Sequence, residues 1–372
     1  MKVIFVNMSL DGHHLDYINA LCRIDGIDPV VVLDKKTDRI SARQIAIEDC
    51  VFGSMKLKEH LKWIRRVEKV VKTEKPDVIH FVWGDSFYRF FGLGFWKLCK
   101  KYKCCVTFHQ IRKSTAHQIS IKLYSKLFDR VIVHTDSLKS YLDKMDIKNV
   151  VHIEYPNFRK NIIMTSDEAK KRLDVQTEAP VLLSLGGTRF DKGLDILLDA
   201  LGQVKEPFYL LIAGAEQGIN REIIEKKIKA YQGQVKMVLR YLSIEEVDLC
   251  LTAANYIVLP YRKAFDGASG PLAEGVGYGK CIVGANHGSL GKLINEHHIG
   301  YTFESEDCTS LAEVLTQALK KDFEYDEYAK EYRESLTVDN FQKSYFNVYL
   351  ESEKIKWQRN YLEGCPQKNL KH

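Results

Sequence analysis

The sequence predicts an α/β fold of two Rossmann-like domains, each a parallel sheet covered by helices on both faces. Three observations carry this. Short apolar runs alternate with segments of helical periodicity, the rhythm pauses once near the middle, and it then restarts. Runs that are apolar throughout, without polar alternation, mark strands buried on both faces, which is the condition of a parallel sheet.

Taken in order, the strand candidates of the first half are KVIFVN (2–7), PVVVL (29–33), DVIHFV (77–82), CCVTF (104–108) and RVIVH (130–134). The pause is "EYPNFRKNIIMTSDEAKKRL". The second series is PVLLSLGG (180–187), FYLLIAG (208–214), QVKMVL (234–239), NYIVLP (255–260) and KCIVGA (280–285). This spacing places the domains at 1–160 and 165–338. A tail helix over 339–372 carries Phe341, Tyr345, Val348 and Tyr349, which need another surface to cover them. At helical spacing in "KLKEHLKWIRRVEKVVK" (56–72), Leu57, Leu61, Ile64, Val67 and Val71 are expected to face the core. Lys58, Lys62, Arg65, Lys69 and Lys72 form an adjoining basic stripe.

At 372 residues, 45% hydrophobic and 28% charged, the chain has ample material for two cores. Its opening apolar run is too short for a signal peptide, and no stretch reaches the roughly 18 apolar residues of a membrane span, so a cytoplasmic location is expected. The nine cysteines are scattered without zinc spacing or a disulfide framework, which favours reduced thiols. The net charge of +6 is uneven: residues 1–160 carry 29 Lys and Arg against 18 Asp and Glu. No zinc finger, RNP-like strand or arginine-rich arm accompanies that charge, so the basic half points to an anionic small molecule or membrane surface rather than to nucleic acid.

Ligands of open parallel sheets collect at the C-terminal ends of the strands. Four loops fall there. "SLDGHH" offers Gly12 for close backbone approach, and "TFHQIRK" offers His109. "SLGGTRFDKGLDILLDAL" puts Arg189 and Lys192 before a helix, at the end where the dipole disfavours cations, so a bound anion would account for them. It is neither a P-loop nor G-x-G-x-x-G. "FDGASGPLAEGVGYGK" places Ser269, Gly270, Pro271 and Leu272 at a helix start, with Asp266 before the turn and Glu274 one turn into the helix. A diphosphate would suit both the cations and the helix end, with Glu274 accepting hydrogen bonds from a ribose diol.

"GGTRFDKGLDILLDAL", "LLIAG", "IVLPY" and "DGASGPLAEGVGYGKCIVG" together resemble the retaining nucleotide-sugar glycosyltransferases of family 4. The resemblance is densest from about Pro180 to Leu319. In the front half only Gly12, "TFHQ" and "YPNF" line up. It implies a GT-B fold, two such domains facing across a cleft, with the C-terminal helix crossing back to the first domain. It also implies site roles. Arg189 and Lys192 match the basic pair on the donor diphosphate, and Ser269 and Gly270 match the turn whose N–H groups hold it. Glu274 matches the ribose-binding glutamate, Asp266 stands where a glutamate near the transferred sugar normally lies, His109 matches a histidine facing that sugar, and Gly12 a glycine near the diphosphate.

Base selection falls to the loop of Arg240 and Tyr241. Three departures stand out: Gly187 takes the place of the commoner arginine, Asp266 is one methylene short, and Lys292 replaces a frequent glutamate. The implied activity is transfer of a sugar from a nucleoside-diphosphate sugar to a hydroxyl acceptor such as a glycan or lipid-linked saccharide, without a cofactor and, as no D-x-D occurs, without a metal. A nucleotide-sugar epimerase and a non-catalytic subunit supporting a partner transferase are the rival readings.

Overall fold

The apolar runs become the strands of two all-parallel sheets in a computed structural model that describes residues 1–7, 14–48, 55–111, 114–159, 162–229, 234–265 and 267–363, the last twelve by backbone alone. Gly12 and Asp266 lie outside the described residues. One unit comprises Met1–Glu154 with the C-terminal helix from Val338, and the other comprises Tyr155–Thr337.

In the first unit the elements run β1 (Lys2–Val6), α1 (His14–Cys22), β2 (Asp28–Leu33), β3 (Arg43–Ala46), α2 (Leu57–Glu74), β4 (Val78–Phe81), α3 (Trp96–Lys101), β5 (Lys103–Phe108), α4 (Thr115–Leu127), β6 (Arg130–Val133), α5 (Asp136–Lys144) and β7 (Val150–His152). The second unit runs α6 (Ser166–Arg172), β8 (Val181–Leu185), α7 (Leu194–Leu201), β9 (Tyr209–Ala213), α8 (Arg221–Ile228), β10 (Gln234–Val238), α9 (Ile244–Ala253), β11 (Tyr256–Leu259), α10 (Gly270–Gly277), β12 (Cys281–Ala285), α11 (Gly288–Glu296), β13 (Gly300–Phe303), α12 (Cys308–Ala318) and α13 (Glu327–Ser335). The chain then returns to the first unit as α14 (Val338–Glu363).

The sheet orders are β3-β2-β1-β4-β5-β6-β7 and β10-β9-β8-β11-β12-β13. In each, the strand order reverses beside the first strand of the unit, as in doubly wound folds, and so opens a crevice at the C-terminal strand ends. Three strands are not announced by apolar runs: β3, β7 and β13. All three are sheet edges, half-exposed or short, and an edge strand needs no continuous apolar face.

Burial on both faces forces polar groups inside the first sheet to find one another. His80 on β4, Thr107 on β5 and His134 after β6 are buried, together with Tyr17 of α1 and Tyr345 and Tyr349 of α14. Their order of donation is fixed from one end. The His134 Nδ1–H donates to the Ile153 carbonyl at 2.8 Å, so its Nε2 must accept from the Tyr17 hydroxyl, also at 2.8 Å. Tyr17 then accepts from Tyr345, and Tyr345 from Thr107 at 3.1 Å. Thr107 accepts from the His80 Nε2–H at 2.8 Å, which leaves His80 Nδ1 to accept from Tyr349 at 2.8 Å. Six groups, on α1, β4, β5, α14 and the loop after β6, form one directed chain. Two of its members come from α14, which also buries Phe341 and Val348, so the tail helix covers its aromatics on the first unit.

Helix α2 corrects one expectation. Ile64, Val67 and Val71 are buried as the periodicity requires, but Leu57 is exposed and Leu61 half-buried. His60 and Trp63 turn inward instead, His60 stacking on Phe90 with ring centroids 4.0 Å apart, because the aromatic layer under this helix accepts flat rings. Lys58, Lys62, Arg65, Lys69 and Lys72 are all exposed. No helix among the described residues is long and apolar enough to cross a membrane.

The hydrogen-bonded chain makes stability depend on pH. Burial brings the pKa of His80 down to about 3 and that of His134 to about 4, against an ordinary value near 6.5. Below pH 6.5 the unfolded chain therefore takes up protons that the folded chain refuses. Stability is complete above about pH 6.5 and falls by about 1.4 kcal/mol per pH unit for each of the two histidines between there and about pH 4. Urea unfolding across this range should show that slope, and His134→Gln should remove its share. A midpoint independent of pH in that window would mean that neither ring is held neutral.

Candidate active site

The site is built on the second unit, where β8, β11 and the helices after them begin and end. After β8 the chain makes a short 3₁₀ turn, Phe190–Lys192, and enters α7 through Gly193. Gly193 has φ +67°, and a Cβ there would stand 1.9 Å from the Pro260 carbonyl oxygen, so only glycine lets this loop lie on the end of β11. Arg262 fastens the same junction. Its backbone N–H donates to Asp191, its guanidinium pairs with both Asp195 oxygens at 2.9 and 2.7 Å, and the group lies 3.7 Å over the Phe190 ring.

This clamp sets the two cations. Arg189 bonds Asp191 through Nε at 2.9 Å and a terminal nitrogen at 2.8 Å, and its side chain is half exposed. Lys192 has no carboxylate within ion-pair distance among the described residues. Its ammonium sits 3.8 Å from the ring centroid of Tyr261 and 4.0 Å from that of Phe265. The rings attract a cation through their π faces without neutralising it. Loss of water, followed by the nearby Arg189 charge, brings the Lys192 pKa down to about 7, with Asp191 pulling the other way.

Tyr261 joins the cations to the helix start. Its hydroxyl hydrogen-bonds the Ser269 hydroxyl at 3.0 Å, and Ser269 is the N-cap of α10, accepting from the Leu272 N–H. Pro271 at the first turn has no N–H, and among the described residues the Gly270 N–H has no acceptor at the positive end of the dipole. The helix is buried along its length and made of small residues for a packing reason: a Cβ at Gly275 would stand 2.7 Å from Ile257 and 2.9 Å from Ile282.

Glu274 is 3% exposed, and Arg159 donates to it through Nε at 3.1 Å. Arg159 comes from the segment after β7 that opens the second unit, where the Asn157 N–H also donates to the Leu336 carbonyl at 2.9 Å. Sequence reading missed Arg159, Tyr261, Arg262 and Phe265. "YPNFR" and "YRKAF" supply them, but only the fold brings the two segments to α10 and to Lys192.

The other residues singled out in the second unit have partners of their own. Arg240 is committed to Glu246, with one bond at 2.8 Å, a pairing that holds the Glu246 carboxyl down to about 2. Tyr241 is largely exposed, and its hydroxyl meets Gln217 at 3.3 Å. Gln217 fills the space beside Gly187, the position of the commoner arginine. Lys292 faces Glu296 one turn on in α11 at 3.8 Å.

His109 belongs to the first unit. Its ring stacks on Trp83 at 3.4 Å, Trp83 stacks on His14 at 3.6 Å, and its Nε2–H donates to the Val82 carbonyl at 3.0 Å. Burial, then neighbouring His134, holds its pKa well below the ordinary value, so the ring is neutral. Asp85, unforeseen from sequence, accepts from the backbone N–H groups of His109 and Gln110 at 2.9 and 2.8 Å and fixes this strand end. Among the described residues no group of three or more His, Cys, Asp or Glu is gathered as metal ligands.

Two cations and an open helix end thus meet at the strand ends of an all-parallel α/β unit, and known proteins resemble both this unit and the chain as a whole. Residues 165–335 match the model of glycosyl transferases group 1. The whole chain shares its fold with solved glycosyltransferases of the GT-B type. A glycosyltransferase from Rickettsia africae ESF-5 is 18% identical, with a TM-score of 0.72 over 95% of this chain and 98% of that one. Anabaena Alr3699/HepE, solved in complex with UDP and glucose, is 14% identical, with a TM-score of 0.73 over 94% and 100%. The catalytic domain of starch synthase IV from Arabidopsis thaliana, bound to ADP and acarbose, is 14% identical, with a TM-score of 0.65 over 94% and 99%. No curated protein matches the chain.

Lys192 gives the site a measurable signature. A bound diphosphate favours the ammonium form and raises its pKa, so binding above about pH 7 takes up a proton and affinity falls as pH rises, by up to about tenfold per unit. Calorimetric titration with UDP at alkaline pH, in buffers of different ionisation enthalpy, should report uptake approaching about one proton per ligand. Lys192→Met should abolish it. Heats independent of buffer would show that Lys192 is already fully charged in the free protein.

Proposed function

We propose that this chain transfers a glycosyl group, with retention of configuration, from a nucleoside-diphosphate sugar to a hydroxyl on a glycan or lipid-linked saccharide, a step in cell-surface polysaccharide synthesis. The observation that carries the reading is Tyr261, whose ring holds the Lys192 ammonium while its hydroxyl holds the cap of α10. Cation and helix end are thereby one site, and a diphosphate is the ligand with two anionic groups to meet both.

As the bond from the anomeric carbon to the diphosphate oxygen breaks, negative charge grows on the leaving group. Lys192, Arg189 and the Gly270 N–H stabilise it from fixed positions, which is worth more than the same contacts in water. The acceptor hydroxyl attacks from the face the diphosphate leaves, and its proton passes to the leaving phosphate oxygen. Glu274, oriented by Arg159, accepts the ribose diol. The role left to His109 is contact with the sugar rather than proton transfer, since its Nε2–H is engaged and its ring neutral. Asp266 is assigned to the transferred sugar, Gly12 to the diphosphate, Arg240 and Tyr241 to the base. No cofactor is called for. The exposed stripe Lys58, Lys62, Arg65, Lys69 and Lys72 has no ion pair among the described residues and suits peripheral association with an anionic membrane surface.

Thermal-shift measurements against UDP, GDP and ADP test donor binding, since a ligand at a hundred times its Kd adds about 2.7 kcal/mol of stability. Arg189→Ala should lower kcat/KM roughly 30- to 1,000-fold, about 2 to 4 kcal/mol, because it removes a charge-assisted contact that strengthens in the transition state and leaves Asp191 unpaired beside the diphosphate. The melting temperature should barely move, the side chain being half exposed. Glu274→Gln should weaken nucleoside-diphosphate binding by about 1 to 3 kcal/mol. Unaltered kcat/KM in the first variant would take Arg189 out of the site, and parental binding in the second would end the ribose assignment. No hydrolysis or transfer from any sugar nucleotide would return the chain to the class of non-catalytic subunits.

A further inference from the structure

From Ser86 to Phe128 the sequence holds nine lysines and arginines and not one aspartate or glutamate. The same stretch exposes large apolar side chains. In the connection leading into α3, Leu93 is 52% and Trp96 59% exposed, with Phe91 beside them, and Ile119 and Leu123 are exposed one turn apart on α4.

These residues share one surface of the first unit. A side chain at Gly92 would meet Leu127, the next position in the Ile119–Leu123 row of α4. On the other side, a side chain at Gly94 would meet Leu61 of α2, and His60 of that helix is bonded to the Leu93 carbonyl at 2.9 Å. The connection therefore runs between α2 and α4, and exposed Leu57 extends the apolar surface one turn along α2.

Cations border it on every helix: Lys58 and Lys62 on α2, Lys97 and Lys100 on α3, Lys122 and Lys126 on α4. None has an ion pair among the described residues, and the Lys100 ammonium lies 5.1 Å over the Trp96 ring, with its charge at the edge of the patch. An apolar centre with tryptophan, inside a border of flexible lysines and with no carboxylate from Ser86 to Phe128, Glu59 of α2 being the one acidic residue on the adjoining turn, matches the layered chemistry of a bilayer surface, where acyl chains lie beneath phosphates.

We propose that this face docks the protein on an anionic phospholipid bilayer, with Leu93 and Trp96 entering the boundary between headgroups and acyl chains and the bordering lysines on lipid phosphates. The inference rests on the peripheral association proposed above, but it puts the anchoring contact on the α3–α4 face rather than on the α2 stripe alone.

Co-sedimentation of the full chain with vesicles of equal parts phosphatidylcholine and phosphatidylglycerol, and with phosphatidylcholine alone, tests it. The parent should sediment with the anionic vesicles only, and the tryptophan emission should shift to the blue in the parent but not in Trp96→Phe. Leu93→Ser with Trp96→Ser should lower the partition coefficient by about tenfold or more, while melting temperature and UDP binding stay at parental values. Parental partitioning of this double variant would overturn the inference whatever the stripe does. If Lys62→Gln, Arg65→Gln and Lys69→Gln together leave binding unchanged while the double variant loses it, the stripe reading fails and this one stands. A parent that ignores vesicles but self-associates, with the double variant monomeric in sedimentation velocity, would assign the face to a second copy of the chain and overturn the membrane reading. A parent that does neither overturns both.

Discussion

A parallel sheet covered on both faces leaves no route to water for a polar group within it, and most of what distinguishes this chain follows from that constraint. Every strand side chain must be apolar, or paired, or small enough to let a helix approach. In the first unit the exceptions, His80, Thr107 and His134, are paired through three tyrosine hydroxyls into a chain that ends on a backbone carbonyl. In the second unit the solution is smallness, with Gly275 allowing α10 to lie directly on Ile257 and Ile282. Chemistry is left to the strand ends, where loops reach solvent.

The holding of Lys192 shows what such a strand end can do. A carboxylate partner would keep the ammonium charged, but it would also compete with an incoming anion and repel it. Two aromatic rings orient the group without supplying a counter-charge. Burial brings the pKa of this ammonium down to about 7, and the diphosphate proposed for the site would raise it again. Arg189 is arranged the other way, paired with Asp191 and half exposed, and so stays charged under all conditions. The pKa of one cation is raised by its partner, and that of the other is lowered by burial.

How much of this was legible in the sequence depended on whether a residue's partner was local. The central strands were legible because burial on both faces writes itself as an unbroken apolar run. The edge strands β3, β7 and β13 were not, because one side of an edge needs no apolar cover. The loop cations and the capped start of α10 were visible from spacing, since a helix end is a local event. Tyr261 and Phe265 were in view as letters, but nothing local says that their rings meet an ammonium held on another loop. Arg159 lies 115 positions from the glutamate it pairs with. Leu57 misled because a helical period fixes which side chains share a face, whereas the aromatic layer beneath decides which of them the core accepts; there it took His60 and Trp63. His109 was seen at its strand end, but its stacking on Trp83 depends on a neighbouring strand.

The return of α14 has a consequence for the order in which this molecule can be made. Translation delivers the first unit's strands early and its last helix at the end, after the whole second unit has been synthesised. Until residue 349 has left the ribosome, Thr107 and His80 have no tyrosine hydroxyls to complete their hydrogen bonds, and the surface that Phe341 and Val348 will cover stays open. The second unit, contiguous in sequence, has no such wait. The nascent chain thus holds an unfinished amino-terminal half through most of its synthesis, and the domain begun first is the one completed last.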